Sequence, residues 1–87
     1  MRDGRYSVYI LECSDKTLYI GSTNDLKKRI YSHNNLKSGA HYTKIRRPVI
    51  LKYFNSFKNY SFARKKEGEI KKMKRQDKLL LIKKFNK

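Results

Sequence analysis

Two short runs rich in β-branched and aromatic residues, Tyr6 to Cys13 and Thr17 to Ser22, flank the polar triplet Ser14-Asp15-Lys16. Nothing else in the chain restricts its fold as strongly. Each run suits a strand, and the triplet between them has the chemistry of a tight turn, so the pair reads as an antiparallel hairpin. Turn length then decides which face each side chain takes. If paired residue numbers sum to 30, Cys13 faces Thr17, Leu11 faces Tyr19 and Tyr9 faces Gly21. Tyr9 and Tyr19 then share a face as diagonal neighbours, roughly 7–8 Å apart. A two-residue turn would make the sum odd and send the two phenols to opposite faces. Gly21, opposite Tyr9, leaves room for a backbone or ligand to approach.

Helix signals follow at once. Ser22-Thr23-Asn24-Asp25 offers several N-caps, and Leu26, Ile30 and His33 recur on one helical face with Arg29 beside them. Lys27 and Lys28 fall on the opposite face, where solvated charges belong. Arg29 and His33 lie one turn apart on or beside the apolar stripe. Two readings fit: an arginine snorkelling past the core with a satisfied interior histidine, or a pair of site residues.

The segment from Asn34 to Arg47 reads as a loop. Val49-Ile50-Leu51 suggests a third strand from Pro48 to about Phe54, buried on both faces, and Asn55 to Asn59 turns the chain. Ser61 then caps a helix to about Lys74 with Phe62, Ala63, Ile70 and Met73 on its apolar side. Arg75 and Gln76 break it, and Asp77 opens a last short helix to Phe85. Glu67 borders the Ala63/Ile70 edge of the stripe and Glu69 the Phe62/Met73 edge, so periodicity does not choose between these acids. For either, the plain alternative is a surface ion pair with a nearby lysine, Lys71 in the case of Glu67.

Charge names the class of partner. Lys+Arg 23 against Asp+Glu 7 leaves a formal net charge of +16, a polycation suited to nucleic acid, because neutralised phosphates release condensed counterions. The longest apolar run, Leu79 to Ile82, is far short of the roughly 20 residues needed to span a bilayer. No secretory pattern opens the chain. The lone Cys13 excludes an internal disulfide and a cysteine zinc site and reads as a half-buried strand residue, so a reducing cytoplasm is the expected setting.

Several of these residues stand in a known order. Val8-Tyr9-Ile10 and Tyr19-Ile20-Gly21 resemble the paired tyrosine motifs of the GIY-YIG endonucleases. The first is a variant, with Val8 for glycine and Ile10 for tyrosine; the second matches in full. Arg29 follows Gly21 by eight residues and His33 follows by four more, as in that family. Gly39-Ala40-His41-Tyr42-Thr43-Lys44-Ile45-Arg46-Arg47-Pro48 resembles the signature of its small stand-alone bacterial members. Ala63-Arg64-Lys65-Lys66-Glu67-Gly68-Glu69-Ile70-Lys71 is similar to the family's metal-binding helix, with Arg64 where leucine is usual.

The resemblance runs from about Ser7 to Phe85. It implies one α/β nuclease domain over residues 1–87, a three-stranded antiparallel sheet flanked by about three helices. It also implies a catalytic set of Tyr9, Tyr19, Arg29, His33 and Glu67, with Glu67 rather than Glu69 as the metal ligand. A single carboxylate suits Mg²⁺ or Mn²⁺, which keep most of their waters. Arg29 is expected to hold the scissile phosphate. A phenolate favoured by a nearby cation would take a proton from water, Tyr9 being the expected base with Tyr19 and His33 orienting water or phosphate. Tyr42 is expected to stack on a base, and Thr43, Lys44, Arg46 and Arg47 to contact phosphates; the alternative is a loop that closes the fold with Tyr42 packed inside. DNA is placed ahead of RNA as substrate, read by shape rather than sequence. The competing reading is a binding module that cuts poorly or not at all and acts with a partner protein.

Overall fold

The computed structural model describes residues 6–36 and 41–86, so the expectations for the first five residues and for Ser38-Gly39-Ala40 lie outside it. The hairpin forms as expected. Strand β1 (Tyr6–Glu12) pairs antiparallel with β2 (Leu18–Thr23), and Tyr9 lies opposite Gly21 and Leu11 opposite Tyr19. At the turn, Cys13 N–H donates to Thr17 O and Lys16 N–H to Cys13 O, both at 2.9 Å. Lys16 closes it in the left-handed region, with φ 71. Asp15 braces the turn by accepting from the Thr17 hydroxyl at 2.6 Å.

Strand β3 (Ile50–Phe57) pairs with the other side of β1, giving the order β2-β1-β3. β1 is therefore the strand buried on both faces. Val8, Ile10 and Leu11 are fully buried and Tyr9 nearly so. The expectation that β3 is buried on both faces is corrected: it is an edge, and Ile50 is 55% exposed. A bulge explains how its apolar residues are shared. Pairing shifts between Ile10↔Tyr53 and Leu11↔Leu51, so Lys52 has no partner on β1. The shift puts Tyr53 and Leu51 on opposite faces although they are two apart. The bulge carbonyl of Lys52 accepts from Asn86 Nδ2 at 3.0 Å.

Each face of the sheet carries its own core. Tyr9, Leu11, Cys13 and Val49 pack with Tyr19, Leu26, Ile30 and Leu51, beneath helix α1 (Leu26–Asn35). Cys13 is thus buried rather than half-buried. On the other face Val8, Ile10, Ile20 and Tyr53 pack with Ala63 and Ile70 of helix α3 (Tyr60–Lys72) and with Leu81 and Ile82 of α4 (Arg75–Phe85). Each fully buried aliphatic side chain contributes roughly 1.5–3 kcal/mol. A short helix α2 (His41–Lys44) occupies the segment expected to be loop, so among the described residues four helices flank the sheet.

Asp25 caps α1, its side chain accepting from Lys28 N. The cap of α3 is Asn59, not Ser61, whose hydroxyl donates to Asn59 Oδ1. β3 runs to Phe57 where a turn was expected, α3 stops at Lys72 and α4 begins at Arg75. Phe62 is 60% exposed rather than on the buried stripe. Among the described residues no helix is long and apolar enough to cross a membrane.

The strained turn position gives a direct check. A left-handed conformation costs a non-glycine residue about 1–2 kcal/mol, part of which glycine returns as backbone entropy. Lys16→Gly should therefore stabilise the fold by about 0.5–1 kcal/mol, read as a higher Tm in thermal melts. Lys16→Val should lower it.

Candidate active site

Hairpin register delivers Tyr9 and Tyr19 to the α1 face together. Both rings meet His33 of α1 edge-on, with centroids 5.8 and 5.1 Å away. A Cβ on Gly21 would come within 2.5 Å of the Tyr9 hydroxyl, so the space this glycine leaves is taken by Tyr9's own phenol rather than by a ligand.

Behind the phenol runs a buried polar chain. Tyr9 Oη and His33 Nε2 are 2.8 Å apart, and His33 Nδ1 lies 2.7 Å from Thr43 Oγ1. One set of proton positions satisfies every group of this polar chain. Arg29, which can only donate, hydrogen-bonds Tyr9. With Tyr9's own proton donated to Nε2 and the imidazole proton on Nδ1, donating to Thr43, each of these groups has a partner.

Burial dominates the electrostatics. It pushes the Tyr9 phenol up to about 12, outweighing the pull of the Arg29 guanidinium. Of the cations expected to favour the phenolate, Arg29 alone does not overcome desolvation, and Tyr9 is a neutral phenol near pH 7. His33 moves the other way, down to about 4, through burial and the positive charges of Arg29 and Arg47. It is a neutral, hydrogen-bonded acceptor.

Glu67 reaches the site from the opposite face of the sheet. Ser22 Oγ donates to its Oε1 at 2.6 Å, and Lys71 Nζ sits 2.9 Å from its Oε2. Burial raises the carboxyl pKa, but these two donors more than offset that and hold it below its ordinary value. The two acids left level by periodicity now separate. Glu67's side chain is 15% exposed and lines a cleft, whereas Glu69's is 53% exposed and lies 3.9 Å from Lys66. The helical ion pair with Lys71, the plain alternative for Glu67, is present as well.

These groups share one cleft of about 250 Å³, lined by Tyr9, Tyr19, Gly21, Ser22, Arg29, Tyr60, Arg64 and Glu67. Its lining combines residues from both faces of the sheet with α1 and α3. His33 lies behind Tyr9. From sequence Ser22 reads only as a helix cap, and Tyr60 and Lys71 carry no site role. The available signal for Ser22 is its place directly after the tyrosine–isoleucine–glycine motif.

The expected phosphate contacts fare unevenly. Thr43 is fully buried with its hydroxyl on His33, so the expectation of a phosphate contact is corrected. Arg47 is corrected too. Its guanidinium donates to the carbonyls of His33, Ser32 and Leu36, capping the C-terminus of α1. Arg46 pairs with Asp15 at 3.0 Å and lies over the Tyr42 ring, 3.9 Å from its centroid. Tyr42 stays at the surface, 36% exposed, with Tyr19 also stacked on it at 6.0 Å. Lys44 is half-buried beside them. The segment thus closes the fold, without Tyr42 being packed inside.

A consequence for pH follows. Unfolded, His33 titrates near 6.5; folded, near 4. As pH falls, the unfolded chain takes up the proton first, so this stability is complete above about 6.5 and is lost progressively down to 4. Melts should show Tm falling from pH 6.5 toward 4, with His33 contributing on the order of 2–3 kcal/mol. His33→Gln should flatten the slope between pH 6.5 and 5, above the carboxylate range.

The GIY-YIG catalytic domain model matches residues 5–80. A UPF0213 protein of Syntrophus aciditrophicus is 55% identical over 76 residues, 87% of each chain. Another, from Clostridium perfringens, is 53% identical over 75 residues, 86% of this chain and 80% of its own. The NMR structure of a UPF0213 protein from Bacillus halodurans is 37% identical, covers 91% of this chain and 83% of its own, and has a TM-score of 0.59. That of an E. faecalis protein is 36% identical, covers 94% and 86%, and has a TM-score of 0.65. With the catalytic-domain match spanning most of the chain, and these relatives aligned along nearly its whole length, the protein belongs to the GIY-YIG family.

Proposed function

We propose that this protein is a divalent-metal-dependent endonuclease that hydrolyses phosphodiester bonds in nucleic acid, DNA ahead of RNA, selecting structure rather than sequence. The observation that carries this is the convergence of Tyr9, Tyr19, Arg29 and Glu67 on one cleft, with His33 behind Tyr9. Arg29 binds the scissile phosphate and balances its developing charge. Tyr19 orients the attacking water.

Tyr9 is the base, but not as a standing phenolate. A phenol with a pKa near 12 accepts the water's proton only while passing its own to the Nε2 of His33, 2.8 Å away. Thr43 and the Arg47-held end of α1 keep the imidazole aimed for that transfer. His33 is a weak acceptor while Arg29's charge stands uncompensated; an arriving phosphate offsets that charge and strengthens it.

The donor set fits a hard ion. Among the described residues no three His, Cys, Asp or Glu cluster as a metal cage. A lone ionised carboxylate is what suits Mg²⁺ or Mn²⁺, which retain waters and draw further oxygens from substrate. Lys71's ammonium already lies on Glu67, so the position accepts positive charge. A bound ion would supply charge relief at the phosphate and the leaving oxygen. The +16 charge alone would equally serve a binding module that does not cut.

Purified protein incubated with branched, single-stranded and duplex DNA and RNA should cut in Mg²⁺ or Mn²⁺ and not in EDTA. Glu67→Ala should lower cleavage roughly 100-fold or more while nucleic-acid binding persists. Binding without cutting on every substrate would leave the binding module as the reading. Lys71→Gln removes the competing cation, so it should tighten Mn²⁺ binding several-fold, seen by calorimetry or electron paramagnetic resonance. Unchanged Mn²⁺ affinity in Lys71→Gln would count against Glu67 as ligand.

A further inference from the structure

One wall of the cleft is α3, and it carries a second recognition device upstream of Glu67. Tyr60, Arg64 and Glu67 are spaced i, i+4 and i+7 and all three line the cleft. Tyr60 is 51% exposed. Arg64 Nη1 donates to the Tyr60 hydroxyl at 2.9 Å, while the guanidinium carbon stands 5.5 Å from the ring centroid. The guanidinium thus lies over the ring toward its hydroxyl end and leaves the side chain half-exposed. Tyr6 braces the ring from β1 in an edge arrangement, with centroids 5.1 Å apart. The result is a held, half-exposed aromatic with a cation at its hydroxyl, both lining the cleft with Glu67.

Tyr42, the aromatic expected from sequence to stack on a base, does not line this cleft and is less exposed, 36% against 51% for Tyr60. Tyr19 and Arg46 already pack on its ring. An aromatic surface at a cleft stacks only on a base whose own face is free, and duplex pairing hides those faces in the helical stack. Arg64 also stands where the metal-binding helix of the family pattern has leucine. With leucine the cation of this pair would be absent.

We propose that Tyr60 and Arg64 form the subsite for an unpaired nucleotide adjoining the scissile phosphate. Its base stacks on the Tyr60 ring and its phosphate is met by Arg64. The subsite rests on the endonuclease reading for what happens at the neighbouring phosphate. Along α3 the ring and Glu67 are separated by about 10 Å of helix rise, room for the flanking nucleotide to be held apart from the reacting one. The site therefore selects single strands, or the single-stranded part of a branched substrate, over continuous duplex.

The test measures binding separately from cutting. In the Glu67→Ala background, fluorescence anisotropy is recorded with single-stranded and duplex oligonucleotides of DNA and of RNA. Tyr60→Leu should weaken single-strand binding about tenfold and leave duplex binding unchanged. Tyr60→Phe should retain the single-strand affinity, which separates loss of stacking from loss of fold. Arg64→Leu should weaken single-strand binding less and reduce the salt slope by about one phosphate contact. A 2-aminopurine scanned along the single strand should show one position whose fluorescence responds to protein that keeps Tyr60 or carries Tyr60→Phe, and not to protein carrying Tyr60→Leu. Equal losses on single strand and duplex, or no loss on either, would overturn the subsite. A Tyr60-dependent single-strand preference in a protein that never cuts would uphold it while the hydrolytic reading failed.

Discussion

The pairing of Tyr9 with Gly21 is the constraint from which the site's geometry follows. Alternation of apolar and polar residues pins most strands, but not β1, which is apolar on both faces and buried on both. A one-residue slip would exchange Val8 and Ile10 for Tyr9 and Leu11, and the hydrophobic penalty alone would be small. The register is held by more directional terms. The turn closes only with Lys16 left-handed, Gly21 is the residue of β2 that admits the Tyr9 ring, and the phenol needs the acceptor that His33 supplies. Were Tyr9 turned to the other face, a buried hydroxyl would meet the aliphatic core beneath α3 and α4, leaving its hydrogen bond unmade at a cost of about 1–3 kcal/mol.

Around that pairing, positive charge serves two separate ends. Arg29 and Arg47 both lower the pKa of His33, yet they are held differently. Arg47 directs its donors to three main-chain carbonyls at the end of α1, whereas Arg29 lines the cleft beside Tyr9. The first fixes where the imidazole is. The second makes the imidazole's basicity depend on whatever anion enters the cleft. Glu67 is the counterpart, an acid kept ionised by Ser22 and Lys71 within a strongly cationic molecule.

Much of this is legible from residues alone, and the misses share physical causes. The hairpin and α1 are legible because both are local, whereas the choice between a three-residue and a two-residue turn, and with it the register, is made by the observed pairing. The burial of β3 is misread because three apolar residues in a row look alike whether a strand is central or an edge. Only the bulge at Lys52, a property of pairing with β1, assigns Leu51 and Tyr53 to different cores. Thr43 and Arg47 read as phosphate contacts because their partners lie on α1, distant in sequence and invisible to local pattern. Periodicity leaves Glu67 and Glu69 level, since each borders the apolar stripe; the separation comes from Ser22, brought across by β2. Tyr60 carries no signal at all, being an exposed aromatic in the first turn of a helix.

The cations withdrawn into the fold change how selectivity can arise. A loop rich in lysine and arginine next to a cleft suggests phosphate recognition, but here Arg46 is tied to Asp15 and Arg47 to α1. What remains for long-range attraction is the solvated lysine on the outer helices, Lys72, Lys83 and Lys84 among it, all exposed. Such a field draws any polyanion, falls steeply with salt and carries no sequence information. Discrimination must then come from groups of fixed shape, and the cleft has few of them: a phenol tied to an imidazole with Tyr19 and the Arg29 guanidinium beside it, and on α3 the Glu67 carboxylate with Tyr60 and Arg64. Shape and strandedness are properties that such a set can read, whereas base-pair identity requires donors and acceptors aligned along a groove.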